Sequence, residues 1–287
     1  MVSTQNLALS DGRTLRVHDS VDAHTQKDVF TVLWHHGSPQ TGALLEPLLV
    51  AAAVRGIRLV SYGRPSYGGS TGLRGRTVAS AGADVAQLAE QLGLERFAVM
   101  GASGGGPHAL ACAALHPELV SATACLASLA PLHTDALDWF GGMASDGESL
   151  RAALLGRAAR EEFELTAEFD PESFNDRDYA TLAGTWASLG TDVGIAAADG
   201  TEGLVDDDLA FVLPWGFSVA DIVTPVLYAQ GGRDRVVPPA HATWLLQNTS
   251  EAELWLRPRD GHIAVLDACA VAMDWLREHS LSARSIV

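Results

Sequence analysis

The sequence predicts an α/β fold, a mostly parallel eight-stranded sheet flanked by helices, with a separate helical unit inserted into it. Three observations lead there. Short apolar runs alternate with segments of helical period through the first 130 residues. That rhythm stops near Pro131 and resumes at Pro225. The charge is divided unevenly as well: residues 131–219 carry 18 Asp and Glu against four Arg, whereas the rest of the chain is nearly balanced, in a total net charge of −16. Alternating strands and helices imply parallel strands joined by right-handed crossovers, with helices on both faces. The compositional break separates an acidic unit, 131–219, from a core made of 1–130 and 220–287.

The elements follow in order. Leu7–Leu9 and Leu15–His18 flank Asp11-Gly12, a hairpin signal. Val29–Trp34 reads as a buried strand and Leu44–Val54 as a helix stopped by Gly56. Ile57–Ser61 is the next strand, and Ala83–Leu92 a helix with Val85, Leu88, Ala89 and Leu92 on one face. Phe97–Met100, His108–Leu115 and Ala122–Leu126 continue as strand, helix, strand. Within the acidic unit Leu150–Arg160 has a helical pattern. Val226–Ala229, His241–Gln247, Glu253–Leu256 and Val265–Glu278 close the chain as strand, helix, strand, helix.

Composition excludes several classes. With 287 residues, 47% apolar and 19% charged, the chain can bury a core of its own. Cys112, Cys125 and Cys269 are odd in number and widely spaced, which fits neither a disulfide scaffold nor a zinc ribbon. The first residues lack the basic and apolar regions of a signal peptide, and no apolar run is long enough for a membrane span. A cytoplasmic protein without membrane or nucleic-acid partners is expected, since phosphates demand a basic face. The acidic unit itself reads as helices with solvated acidic faces, or as a lid whose field disfavours anionic substrates.

Gly101-Ala102-Ser103-Gly104-Gly105 fits G-x-S-x-G, but so does Gly68-Gly69-Ser70-Thr71-Gly72. Context separates them. Ser70 lies in a Gly/Pro-rich stretch and reads as a turn. Ser103 directly follows the Phe97–Met100 strand and precedes the Pro107–Leu115 helical pattern. A nucleophilic serine needs that sharp strand-to-helix turn, with small neighbours so the two elements can approach, and with helical N–H groups facing the developing negative charge.

A serine nucleophile needs a base, and the base needs an orienting acid. His262, in Arg259-Asp260-Gly261-His262, follows the last strand and is the candidate base. Asp234 lies in the glycine-rich loop after Val226–Ala229, at the strand edge where α/β sites form, and is the candidate acid. Asp135 and Asp138 are weaker alternatives for the acid, and ion pairing of Asp234 with Arg233 or Arg235 is the competing structural role. The backbone N–H groups of Ser38 and Gly104 are the candidate oxyanion hole; Pro39 cannot donate. His35 and His36 read as loop histidines bonded to backbone rather than as bases. His36, Trp139, Phe140, Trp186 and Trp215 are carried as pocket candidates.

Together the His36-Gly37 pair, the 101–105 elbow, the 231–238 loop and Gly261-His262 make the sequence resemble the α/β-hydrolase superfamily over nearly its whole length. The serine at the elbow implies the esterase-like branch, and residues 131–219 would be the helical cap after the sixth strand. One loop departs from the family pattern: Gly63-Arg64-Pro65-Ser66-Tyr67-Gly68-Gly69-Ser70 stands where many relatives have Asp-Arg-Pro-Gly-Tyr-Gly-x-Ser.

The expected function is hydrolysis of a small-molecule carboxylic ester or lactone through an acyl-enzyme, without metal or organic cofactor. Three alternatives stay open: an aminopeptidase or amidase whose cap carboxylates hold a substrate amine, a C–C hydrolase or cofactor-free perhydrolase, and a non-catalytic ligand receptor. Oligomeric state is left open.

Overall fold

The computed structural model describes residues 2–20, 29–132, 134 and 136–282. The first half runs β1 (Ser3–Ala8), β2 (Thr14–Asp19), β3 (Thr31–His35), α1 (Glu46–Val54), β4 (Arg58–Tyr62), α2 (Ser80–Leu92), β5 (Phe97–Ala102), α3 (Gly105–Leu115) and β6 (Val120–Leu126). Five helices follow: α4 (Glu148–Leu154), α5 (Arg157–Glu164), α6 (Asp176–Ala183), α7 (Ala187–Ala198) and α8 (Glu202–Val212). The chain then returns through β7 (Val226–Gly231), α9 (Pro239–Asn248), β8 (Ala252–Arg257) and α10 (Cys269–Ser282).

The strands form one eight-stranded sheet in the order β1-β2-β4-β3-β5-β6-β7-β8. β2 runs antiparallel to both neighbours, and the pairings from β4 through β3, β5, β6 and β7 to β8 are parallel. The expected α/β class and mostly parallel sheet are therefore the observed ones. The pleat sends alternate residues to opposite faces. Leu33, Val60, Phe97, Val99 and Tyr228 pack with residues of α2 and α3. Val32, Trp34, Leu59, Ala98, Met100 and Leu227 pack with α1 and α10. Burial on both faces explains why the central strands read as continuous apolar runs.

Two elements differ from the sequence reading. The helical pattern over Leu150–Arg160 is two helices, because Gly156 takes a φ of +102° that ends α4 and starts α5. The last helix begins later than Val265: a 3-10 turn, Ala264–Ala268, precedes α10. Cys112, Cys125 and Cys269 are all buried free thiols. Among the described residues, no helix is long and apolar enough to cross a membrane.

The helices between β6 and β7 do not simply present solvated acids. Asp178, Asp192, Asp206, Asp207 and Asp208 are all buried. Asp192 accepts from the Thr41 hydroxyl at 2.5 Å and from the Thr41 N–H at 3.1 Å. On α8, Asp206 pairs with Arg157 and Asp208 with Arg160, while Asp207 pairs with Arg64 and Arg76 of the β4–α2 connection. Carboxylates this deep are kept only with such partners, since an unpaired buried charge is costly.

Candidate active site

The parallel strands β5, β7 and β8 end at one edge of the sheet, and their outgoing loops carry Ser103, Asp234 and His262. Ser103 lies between β5 and α3 with a φ of +52°, in the left-handed region that few non-glycine residues adopt. Its N–H donates to Leu126 O at 2.8 Å, anchoring the turn to β6. Glycine is required on both sides: a Cβ on Gly101 would strike the Gly105 carbonyl, and one on Gly105 would strike the His35 carbonyl. The strand-to-helix turn is this tight because those positions have no side chain.

Ser103, His262 and Asp234 form one hydrogen-bonded chain. Ser103 Oγ lies 2.9 Å from His262 Nε2, and His262 Nδ1 lies 2.8 Å from Asp234 Oδ2. The other Asp234 oxygen accepts from the Val236 and Val237 N–H groups at 2.9 and 2.8 Å, and Gln230 Nε2 donates to Oδ2 at 3.2 Å. These donors fix the carboxylate's plane. Arg233 does not take it over, and Arg235 pairs instead with Glu172. Burial alone would push the His262 pKa down, but the Asp234 carboxylate, and after it that of Asp178, outweigh this and hold it above the ordinary imidazole value. Asp138, the weaker acid, carries no part of this chain; Asp135 lies outside the described residues.

Ser38 and Gly104 face each other beside Ser103. A Cβ on Gly104 would strike Ser38 Oγ and come within 3.0 Å of Phe211 Cζ, and one on Gly37 would lie 3.7 Å from Ser103 Cβ. The Ser38 hydroxyl donates to Asp207 and accepts from Arg64 Nη2 at 2.9 Å, so its side chain is turned away into the fold. Arg64 also donates to the His36 carbonyl and, at 3.2 Å, to the Gly37 carbonyl. One guanidinium thus ties down three consecutive residues of the loop. Asp207 completes the arrangement, with Tyr67 Oη donating to it at 3.0 Å. Burial would raise the Asp207 pKa, but Arg64 and Arg76 hold it well below the usual carboxylate range.

Sequence reasoning missed Arg64 and Asp207. The available signal was Asp206-Asp207-Asp208 flanked by Leu204, Val205, Leu209, Ala210 and Phe211, an acidic triplet inside an apolar helix. Such a run asks for buried cations.

His36, His108 and His241 are buried scaffold. His36 Nδ1 donates to Gly37 O at 2.7 Å and Nε2 accepts from Arg64 N at 3.1 Å, so both ring nitrogens are engaged. It is fully buried and holds loops together. His108 donates to Gly104 O at 2.7 Å, and burial with nearby Arg64 pushes its pKa down to about 3. His241 donates to Trp139 O at 2.8 Å and accepts from Ala130 N, with burial pushing its pKa to about 4.

The aromatic pocket candidates also pack inward. The indole N–H groups of Trp139, Trp186 and Trp215 donate to Ala130 O, Asp267 Oδ1 and Phe211 O, and all three rings are buried in the two cores. Phe140 is partly buried, edge-on to Trp139 and covered by the Arg151 guanidinium at 4.0 Å. The size of the three tryptophans and their N–H groups suit them to core packing.

The second G-x-S-x-G is a turn. Ser70 Oγ donates to Gly63 O at 2.6 Å and accepts from Arg16 N at 2.9 Å, joining the β4–α2 loop to β2. Ser70→Ala is expected to cost about 1–3 kcal/mol of stability by leaving those groups unpaired. Urea unfolding measures the loss, and reaction with a serine-directed probe should persist.

Among the described residues, no cluster of three or more His, Cys, Asp or Glu is arranged to hold a metal ion. No curated protein matches this sequence. Solved structures do match in fold. A thermophilic esterase from Thermogutta terrifontis superposes with a TM-score of 0.72 at 17% identity, over 97% of this chain and 99% of that one. An esterase from Exiguobacterium antarcticum gives 0.71 at 19% identity, over 96% and 100%. The enol-lactonase from Burkholderia xenovorans gives 0.71 at 18% identity, over 96% and 99%. Residues 31–268 match the profile of the alpha/beta hydrolase fold, and with the sheet order and the elbow turn this establishes that the chain belongs to the alpha/beta hydrolase family.

Proposed function

We propose that this protein hydrolyses a small-molecule carboxylic ester or lactone through an acyl-enzyme formed on Ser103. The observation that carries the reading is the Ser103–His262–Asp234 chain at 2.9 and 2.8 Å, presented on a strained turn next to Ser38 and Gly104. His262 Nε2 takes the Ser103 proton as Oγ attacks the carbonyl carbon. The N–H groups of Ser38 and Gly104 hold the oxygen as it gains charge. His262 then gives its proton to the leaving alcohol, and later takes one from the water that releases the acid. Asp234, accepting from Nδ1, keeps the ring in the tautomer whose Nε2 can act as base. The esterases and the enol-lactonase of the same fold make this substrate class the natural first panel.

Residues 131–219 are read as a cap over this site, supported by the five helices between β6 and β7. The aminopeptidase reading needed free cap carboxylates. Asp178, Asp192, Asp206, Asp207 and Asp208 are all bonded to other groups of the chain, so its main support is reduced.

The test is labelling by a fluorophosphonate together with turnover of short- and medium-chain p-nitrophenyl esters. Labelling with turnover supports the proposal; a folded protein that does neither sinks it.

A pH dependence follows from the raised His262 pKa. The base must be neutral, so kcat/KM should fall with decreasing pH through a midpoint above imidazole's ordinary value of about 6.5. An acid limb centred below that value would contradict the assignment. The stability contribution has the opposite course. The folded state binds this proton more tightly than the unfolded chain. Its share of stability is therefore present below the unfolded pKa and lost as pH rises through the folded one.

A further inference from the structure

We propose that Asp178, on the inserted helix α6, is a positioning residue for His262: it fixes the backbone that presents the imidazole, so Ser103–His262 alignment depends on α6 being docked. This rests on His262 being the base of the reaction proposed above.

Asp178 is fully buried. Its Oδ1 accepts from Ile263 N at 2.9 Å and from Ala264 N at 2.8 Å, the two residues that follow His262. Its Oδ2 accepts from Asn175 N at 2.9 Å, within the capping box that starts α6. Ile263 and Ala264 open the 3-10 turn ahead of α10, and the N–H groups at such a start have no partner in their own helix. A side chain from 85 residues earlier in the chain supplies it. This is a helix cap delivered from outside the segment that it caps.

The fit is close. A Cβ on Gly261 would strike Asp178 Oδ2 and come within 2.6 Å of Asn175 Nδ2, so the residue before His262 must be glycine for α6 to reach the loop. A second tie lies alongside: Arg177 Nε donates to Asp260 Oδ1 at 2.7 Å, Arg257 pairs with the same carboxylate, and the Asp260 carbonyl accepts from Arg233 N at 2.9 Å. The His262 loop, the Asp234 loop and α6 are thereby joined. Around His262 the titratable and charged groups are Asp234 from the β7–α9 loop, Ser103 from the elbow, Asp178 and Arg177 from α6, and Asp260 with Arg257 from its own loop.

Two variants test this, Asp178→Ala and Asp178→Asn. For each, kcat per fluorophosphonate-titrated site, KM, the acid limb of kcat/KM and Tm are compared with wild type. Asp178→Ala frees both N–H groups, and kcat is expected to fall about 10- to 100-fold with KM little changed, as displacement of a reacting group by about 1 Å would cause. Asp178→Asn keeps an oxygen for Ile263 and Ala264 but removes the charge. Its kcat should recover most of that loss, and its acid limb should move to lower pH. Wild-type kcat in Asp178→Ala, or an unshifted acid limb in Asp178→Asn, overturns the proposal and leaves Asp178 a structural anchor visible only in Tm. If Asp178→Ala does not fold, the acid limb of Asp178→Asn decides alone. A wild type that neither labels nor turns over ester overturns the hydrolase reading, an outcome separable from every result on Asp178.

Discussion

Ser103→Ala is expected to lower kcat on p-nitrophenyl esters by on the order of 10⁶ and to abolish fluorophosphonate labelling, the loss seen when comparable triads lose their nucleophile. The fold should survive. Ser103 Oγ bonds to His262 Nε2, while the strained turn is held by its backbone bond to Leu126 and by the glycines at 101 and 105. Alanine tolerates a φ of +52° no better than serine does, so the strain carries over unchanged. Unfolding by urea should therefore give nearly the wild-type midpoint. Residual activity within 100-fold of wild type would move the nucleophile elsewhere. Ser70, bonded to Gly63 O and Arg16 N, offers no competing geometry.

Asp207→Ala should be the most destabilising single change outside the elbow, at about 3–5 kcal/mol, the usual cost of removing one partner from a buried ion pair. Two guanidiniums, Arg64 and Arg76, are 1% and 2% exposed at the side chain and share this one fully buried carboxylate. Without it they face each other with an excess positive charge that burial cannot screen. Against a typical total of about 5–15 kcal/mol, such a loss takes a third or more of the fold's stability. Chemical denaturation would register it as a fall in midpoint. A change under about 1 kcal/mol would mean that water or another acid already neutralises Arg64 and Arg76. Asp207→Asn should recover part of the loss, since an amide oxygen can still accept from Arg64. Activity should decline as well, because Arg64 and Asp207 together hold His36, Gly37 and Ser38.

What the sequence revealed and what it hid divide along a physical line. The sheet was legible because strands buried on both faces are written as short apolar runs, as in Val32–Trp34 and Phe97–Met100, and because glycines punctuate their ends. Ser103, Asp234 and His262 were legible because each needs a strand end and a glycine nearby, requirements that leave local traces. The partners of the acidic helices left no such trace. Asp178 reaches Ile263, Asp192 reaches Thr41, and Asp207 reaches Arg64 across 85, 151 and 143 residues of chain. No periodicity encodes contacts of that range. An Asp read in isolation is expected at the surface, which is why the acidic unit read as solvated. Trp139, Trp186 and Trp215 read ambiguously for the opposite reason: a large aromatic suits a pocket wall and a core equally, and only packing decides.

The triplet Asp206-Asp207-Asp208 also bears on how freely this architecture can be recombined. Helical insertions between β6 and β7 look like interchangeable parts, suited to grafting from one relative to another when a new selectivity is sought. Here the graft boundary runs through a network of buried ion pairs. Arg157 and Arg160 would leave with the insertion, but Arg64 and Arg76 stay behind in the sheet-bearing part. A chimera that keeps this scaffold and imports a foreign insertion inherits two stranded cations beneath the loop that holds Ser38. The donor must therefore bring an anion to the position of Asp207, or the recipient must lose both arginines in the same step.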